Sequence, residues 1–137
     1  MKNVKTVAAA IMEKNGKFLI AKRKNGQSHE GKWEFPGGKL IPGETLEKCL
    51  ERELEEEFSI LTKTHNFFDK SFYEYESGVI ELVAYYSEHI DGEFIPIVHS
   101  DIKWVSPEEL LNHDLSPADI SIAKNLIKLH CGNCQEA

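Results

Sequence analysis

The stretch GKLIPGETLEKCLERELEEEFSI, Gly38 to Ile60, decides how the rest of the chain is read. From Thr45 to Phe58 it holds no Gly or Pro and is rich in Leu, Glu, Lys and Arg, so it reads as a helix. Advanced at about 100° per residue, Leu46, Leu50 and Leu54 fall within an arc of roughly 80°, with Cys49 beside it. Glu53 and Glu57 lie on that same side and Glu56 at its edge, while Glu47, Glu51 and Glu55 point the other way with Lys48. The second set reads as a solvated face. The first does not. Positions i, i+3 and i+4 crowd like charges into one patch, and carboxylates beside an apolar face are costly unless something compensates them. Arg52 reaches Glu56 at i+4, but one cation cannot balance three anions. A bound divalent metal can, and hard oxygen ligands suit Mg²⁺ or Mn²⁺.

Upstream of this helix, Val4–Glu13 reads as a strand. The Asn-Gly turn signal at Lys14-Asn15-Gly16-Lys17 sends the chain back along Phe18–Ala21. A polar loop, Lys22–Lys32, leads to a short strand at Trp33-Glu34-Phe35, which Pro36-Gly37-Gly38 ends. Residues Lys39–Ile41 are extended again and Pro42-Gly43 turns. Downstream, Phe67–Glu76 and Val79–Glu88 read as strands joined across Ser77-Gly78, and Ile102–Val105 as another. Ser106-Pro107-Glu108-Glu109 and Ser116-Pro117-Ala118-Asp119 share one helix-start grammar, a Ser cap, Pro in the first turn and an acid three after the cap. The second opens a last helix with apolar spacing at Ile120, Ala123 and Ile127. Strands and helices interleave, so the class is mixed α/β with helices packed on sheet faces.

The chain has 137 residues, 41% apolar and 28% charged, which fits a single globular domain, expected over residues 1–130 with a short tail at 131–137. A net charge of −7 argues against a nucleic-acid partner, which needs a basic footprint. It allows an anionic small substrate where a divalent cation lies between the two sets of negative charge. No apolar run approaches a membrane span, and the six apolar residues Val7–Met12 lead into a charged turn rather than a cleavage site, so the cytosol is the expected compartment. The three cysteines, Cys49, Cys131 and Cys134, read as reduced thiols; the Cys131/Cys134 pair has no second pair with which to hold zinc.

Gly38, Glu44, Arg52, Glu53, Leu54, Glu56, Glu57 and Ile60 fit the spacing Gly, five residues, Glu, seven residues, Arg-Glu-apolar-x-Glu-Glu-x-Gly-apolar. The stretch thereby resembles the box of the Nudix hydrolase family. Six positions are specific residue types, and at a usage of roughly 6% each a chance match at a given start is on the order of 10⁻⁸. One position departs: Ser59 stands where the family has the glycine expected to end the helix in a left-handed conformation, at a cost of about 1 kcal/mol for a residue with a side chain. The segment Trp33–Lys39 looks like the entry segment of MutT-type members. Trp104, Ser106-Pro107-Glu108-Glu109 and Pro117-Ala118-Asp119 look like the C-terminal half of MutT-related and CTP pyrophosphohydrolase-type members.

The resemblance implies a mixed sheet between helices and a metal-dependent attack of water on a phosphorus of a nucleoside diphosphate-linked group, with a triphosphate giving a monophosphate and pyrophosphate. It makes Glu53, Glu56 and Glu57 metal carboxylates, Glu53 the first choice for the base that accepts the water's proton, and Arg52 the residue that orients them. The Gly38 carbonyl becomes a candidate metal ligand, and Gly37 and Gly38 let backbone approach a ligand closely. Glu44 reads equally as a helix-start anion or as a partner of the metal site. Arg23, in the basic run Lys22-Arg23-Lys24, and Lys39 are candidates for holding phosphate, against a solvated loop. Phe35 either stacks a base or fills core. Asp119 either accepts from the amine edge of a nucleobase or completes a capping box with Ser116. Where related enzymes carry a further loop carboxylate this chain has Val98, with His99 and Asp101 as substitutes. The expected substrate is a nucleoside triphosphate of the 8-oxo-dGTP kind, with CTP or modified dCTP, ADP-ribose and dinucleoside polyphosphates as alternatives. The expected assembly is a monomer or homodimer. A Nudix-fold module that binds without catalysis is the rival of another class; the three intact carboxylates weigh against it.

Overall fold

The structure, a computed structural model, describes residues 3–130. The expected tail at 131–137, with its two cysteines, lies outside them. The elements run β1 (Val4–Ile11), β2 (Glu13–Lys14), β3 (Lys17–Arg23), β4 (Trp33–Glu34), β5 (Gly37–Lys39), α1 (Leu46–Phe58), β6 (Leu61–Tyr75), β7 (Gly78–Asp91), β8 (His99–Val105), a 3₁₀ turn (Pro107–Asn112) and α2 (Pro117–His130). The strands divide between two sheets. One is mixed, in the order β5-β1-β7-β6, with β1 parallel to β7 and the other neighbours antiparallel. The other is antiparallel, with β3 pairing β2, β4 and β8.

Strands β1 and β3 are buried on both faces, which is why Ala8–Met12 and Phe18–Ala21 read as unbroken apolar runs. Alternate residues serve two cores. Ala9, Ile11, Phe18 and Ile20 pack with Ile122, Ala123 and Leu126 of α2. Ala8, Ala10, Met12, Leu19 and Ala21 pack with Cys49, Leu50, Leu54 and Phe58 of α1. The molecule is therefore a pair of sheets between two helices. Leu50, Leu54 and Phe58 are fully buried, each worth about 1.5–3 kcal/mol, so α1 is held by one face and free to offer the other.

Thr45 caps α1, its Oγ1 accepting from the Lys48 N–H at 3.1 Å. Ser59 ends the helix at φ 60° and ψ 37°, the left-handed conformation expected there, its N–H bonded to Glu55 O at 3.0 Å. The carbonyls of Glu57 and Phe58 accept from the N–H groups of Ile97 and Ile95, each at 3.0 Å, so the segment before β8 closes the end of α1.

Several expectations change: Gly37 and Gly38, expected to end a strand, lie within β5, and β8 begins at His99, three residues before the expected Ile102. Strand β6 begins at Leu61, six residues before the expected Phe67, because residues 61–64 pair through bulges with Ser87–Asp91. Glu51 is not simply solvated: its Oε2 accepts the Thr64 N–H at 3.1 Å, beside the bulge where the ladder leaves that donor to be satisfied.

Candidate active site

Helix α1 presents its acidic side to β5, and the two glycines of β5 set how closely. Gly37 has φ +159° and a Cβ there would lie 1.8 Å from the Ala8 carbonyl oxygen of β1. A Cβ on Gly38 would lie 1.8 Å from Glu53 Oε2. The first glycine lets β5 lie against β1; the second makes room for a carboxylate.

Arg52 organises the acids around it. Its Nε and Nη2 donate to the two oxygens of Glu44 at 2.6 and 3.0 Å, and its Nη1 donates to Glu53 Oε1 at 3.0 Å and Glu56 Oε1 at 3.1 Å. It is thus the hub of three carboxylates and not a lone i, i+4 pair with Glu56. The guanidinium is held charged, chiefly by Glu44, and in turn its hydrogen bond keeps the Glu44 carboxyl below the usual range. Glu44 is therefore a partner of the acidic cluster through Arg52. The Cys49 thiol, fully buried beneath, donates to the carbonyls of Lys39 and Gly38 at 3.3 and 3.7 Å, and burial pushes it up to about 11.

Glu57 is different. Its Oε1 is buried without a hydrogen-bond partner among the described residues, and burial, then the charge of Glu53, push its carboxyl up to about 8. Burial first, and then the neighbouring Glu53, favour the protonated form of Glu57. Glu56 lies further out, its side chain 59% exposed and turned to Arg52. Among the described residues no three acidic, His or Cys side chains converge as a finished metal site. The donor set nonetheless fits a hard divalent cation: carboxylates only, one buried oxygen with no partner, and a glycine opening at Glu53.

Glu53 and Glu57 line a cavity of about 460 Å³. Gly37, Gly38 and Lys39 line it from β5, Arg23 and Glu34 from the antiparallel sheet, and Phe35 and Asp119 from beyond. Eight of the ten residues expected at the site thus line the cavity, and the other two, Arg52 and Glu56, join them through the hydrogen bond of Arg52 to Glu53. Arg23 is not a free loop cation: Nε donates to Ser28 O at 2.6 Å and Nη1 to Glu34 Oε2 at 3.2 Å. Phe35 is 3% exposed, packed in the core while touching the cavity. Its N–H donates to Asp119 Oδ1 at 3.0 Å. Asp119 is 5% exposed, and burial, then the charge of Glu34, raise its carboxyl well above the usual range. Neither side-chain bond of the capping box is made: Asp119 serves the Phe35 N–H, and the Asp119 N–H goes to the Ser116 carbonyl rather than to its hydroxyl.

Neither substitute for the loop carboxylate joins the acidic cluster. His99 is buried and its Nε2 meets Glu34 Oε2 at 2.9 Å, with its ring stacked on Phe58. Asp101 is exposed and its Oδ1 accepts from Ile102 N–H. The sequence reading passed over Glu34, which holds both Arg23 and His99. The polar residue between Trp33 and Phe35, in a short strand running into a glycine pair, was the signal for it.

The NUDIX domain family matches residues 2–126. The chain is 36% identical over 123 residues to the CTP pyrophosphohydrolase of Escherichia coli K12, covering 90% of this chain and 91% of that one. It is 31% identical over 129 residues to the 8-oxo-dGTP diphosphatase of the same strain, covering 94% and 100%. Among solved structures, the E. coli ORF135 protein in solution superposes with a TM-score of 0.83 at 34% identity, covering 96% of this chain and 94% of that one.

Proposed function

Because the chain belongs to the Nudix family of pyrophosphohydrolases, we propose that it hydrolyses nucleoside triphosphates, with Mg²⁺, to a monophosphate and pyrophosphate. The observation that carries this reading is the Glu53–Glu57 pair, poised beside Gly38 and opening into the same cavity as the buried Asp119. One wall suits phosphates bridged by a cation and another suits a base. Relatives that bear the names CTP pyrophosphohydrolase and 8-oxo-dGTP diphosphatase support two substrates first, CTP or modified dCTP, and 8-oxo-dGTP. No helix of the described residues is long and apolar enough to cross a membrane, which accords with a cytosolic nucleotide pool as the source of substrate.

Glu53, Glu56 and Glu57, with the Gly38 carbonyl, would hold the divalent ion. When bound it supplies charge neutralisation along the phosphate chain and a more acidic attacking water. Arg52 holds Glu53 and Glu56 in place by charged hydrogen bonds and keeps their negative charge tolerable before a substrate arrives. Glu53, whose carboxylate lies against Gly38 and lines the cavity, is our assignment for the group that takes the water's proton. Arg23 and Lys39 face the cavity as the cations for phosphate oxygens, and Glu34 fixes the direction of Arg23.

The test is to resolve the products formed from 8-oxo-dGTP, CTP, modified dCTP, the ordinary triphosphates, ADP-ribose and a dinucleoside polyphosphate, with Mg²⁺ and with chelator: pyrophosphate and a monophosphate from a triphosphate, AMP and ribose 5-phosphate from ADP-ribose, two nucleotides from a dinucleoside polyphosphate. Metal-dependent pyrophosphate release with one favoured triphosphate is expected, and Glu53→Gln or Glu57→Gln should abolish it while the protein stays folded. Cleavage of ADP-ribose alone, or full activity in either variant, would overturn the assignment.

A further inference from the structure

Ser106-Pro107-Glu108-Glu109 and Ser116-Pro117-Ala118-Asp119 have the same local grammar, and the structure uses them differently. At the first, the Ser106 hydroxyl donates to Glu109 Oε1 at 2.9 Å, on the exposed side of the 3₁₀ turn. At the second the pair parts. Asp119 turns to the Phe35 N–H, and Ser116 Oγ is left buried with no hydrogen-bond partner among the described residues. Ser116 is 5% exposed and lines the same cavity as Asp119.

The cap that Ser116 would ordinarily provide is already made. Pro117 has no N–H to satisfy. The Ala118 N–H donates to the Tyr75 hydroxyl at 3.3 Å, and the Asp119 N–H to Ser116 O at 2.9 Å. The Ala118 carbonyl in turn accepts from Ser71 Oγ at 2.7 Å, so β6 holds both backbone polar groups of Ala118. The backbone of Ser116 is equally fixed, its N–H donating to Trp33 O at 2.8 Å. What remains is one hydroxyl, able to donate and accept, desolvated on a rigid backbone in a residue that lines the cavity. Leaving such a group unpaired costs free energy that a ligand can recover.

We infer that Ser116 is a specificity-determining residue, whose hydroxyl takes a hydrogen bond on the edge of the substrate's nucleobase beside the one made by Asp119. The inference rests on the nucleotide reading above and adds a second polar contact to the base. The Asp119 Oδ1 is already held by the Phe35 N–H, so the Ser116 hydroxyl supplies a second contact to the base edge from the same helix start. A site built to bond an edge rejects bases that leave its buried groups unpaired.

Binding separates this from the reaction assignment. Titrate the full chain and Ser116→Ala with CMP, UMP, AMP, dGMP and 8-oxo-dGMP, and with ribose 5-phosphate, which carries no base. The variant should bind the preferred monophosphate roughly 3- to 10-fold more weakly, the loss of one net hydrogen bond. Its ranking of bases should flatten, and its affinity for ribose 5-phosphate should hold. Thermal unfolding supplies the control: Ser116→Ala, which removes an unpaired buried hydroxyl, should keep or raise its midpoint, while Tyr75→Phe, which removes the bond made to the Ala118 N–H, should lower it. If Ser116→Ala loses stability and keeps its base ranking, the residue is an ordinary cap and the inference falls. It also falls if the wild type binds every base and ribose 5-phosphate alike. If no triphosphate yields pyrophosphate yet the base ranking still shifts, the reaction assignment fails and the role of Ser116 stands.

Discussion

The two glycines of β5 look alike in sequence and differ in what each excludes. Beside Gly38 the nearest atoms to an added Cβ belong to the Glu53 carboxylate, the mobile end of a side chain. Beside Gly37 they belong to the backbone of Ala8 and Ala9. Gly38→Ala should therefore fold and lose activity. It moves Glu53 by something near an ångström, a displacement that can cost on the order of 10²-fold in rate. Gly37→Ala should lose stability instead, by roughly 3 kcal/mol or more, because β5 must leave β1 to relieve the clash. Paired kinetic and denaturation measurements on the two variants check this. Equal losses of activity at equal stability would show that the glycines do one job and not two.

At the scale of the element, α1 shows what was legible. Its span, its Thr45 start and the division of its acids into an inner and an outer set follow from 3.6-residue periodicity, and the structure keeps them. What periodicity cannot reveal is contact across the fold. The outer Glu51 finds Thr64, Glu44 finds Arg52, and Asp119 finds Phe35 across 84 residues, overriding the local capping pattern. The early start of β6 was hidden for a similar reason: its first residues mix apolar and polar on a mostly exposed edge, so only the partner strand defines them. Ser59 carries a prediction at this scale. It is exposed and left-handed, and its helix end is already closed by Ile95 and Ile97. Ser59→Gly should relieve about 1 kcal/mol of strain and raise the thermal midpoint by a few degrees, with turnover unchanged. An unchanged or lower midpoint would mean that the left-handed conformation at Ser59 carries no cost.

At the scale of the whole molecule, the acidic cluster couples folding to pH and to metal. Glu57 has a folded value near 8 against an ordinary 4.5, so its contribution to stability is fully present below about pH 4.5 and is lost as pH rises toward 8. Asp119, also raised, acts in the same sense from its ordinary 3.8 upward. Glu44 is lowered, so its contribution is lost only as pH falls below its ordinary 4.5. Between pH 5 and 8 the metal-free protein should therefore become less stable as pH rises, relative to Glu57→Gln. A divalent ion held by the cluster as proposed would invert this, because it would bind the ionised carboxylates and displace the Glu57 proton. Below pH 8 its affinity should rise roughly tenfold per pH unit, one proton for one ion. The stabilisation by a fixed Mg²⁺ concentration should grow in step. Thermal unfolding from pH 5 to 8.5, with and without Mg²⁺, in the wild type and in Glu57→Gln, isolates the term. Asp119 is unchanged in the variant, so its contribution cancels in the comparison. A Mg²⁺-induced shift that is flat with pH in the wild type, or one whose slope survives in Glu57→Gln, would remove Glu57 from the metal cluster and leave its buried oxygen to be explained by something else in the cavity.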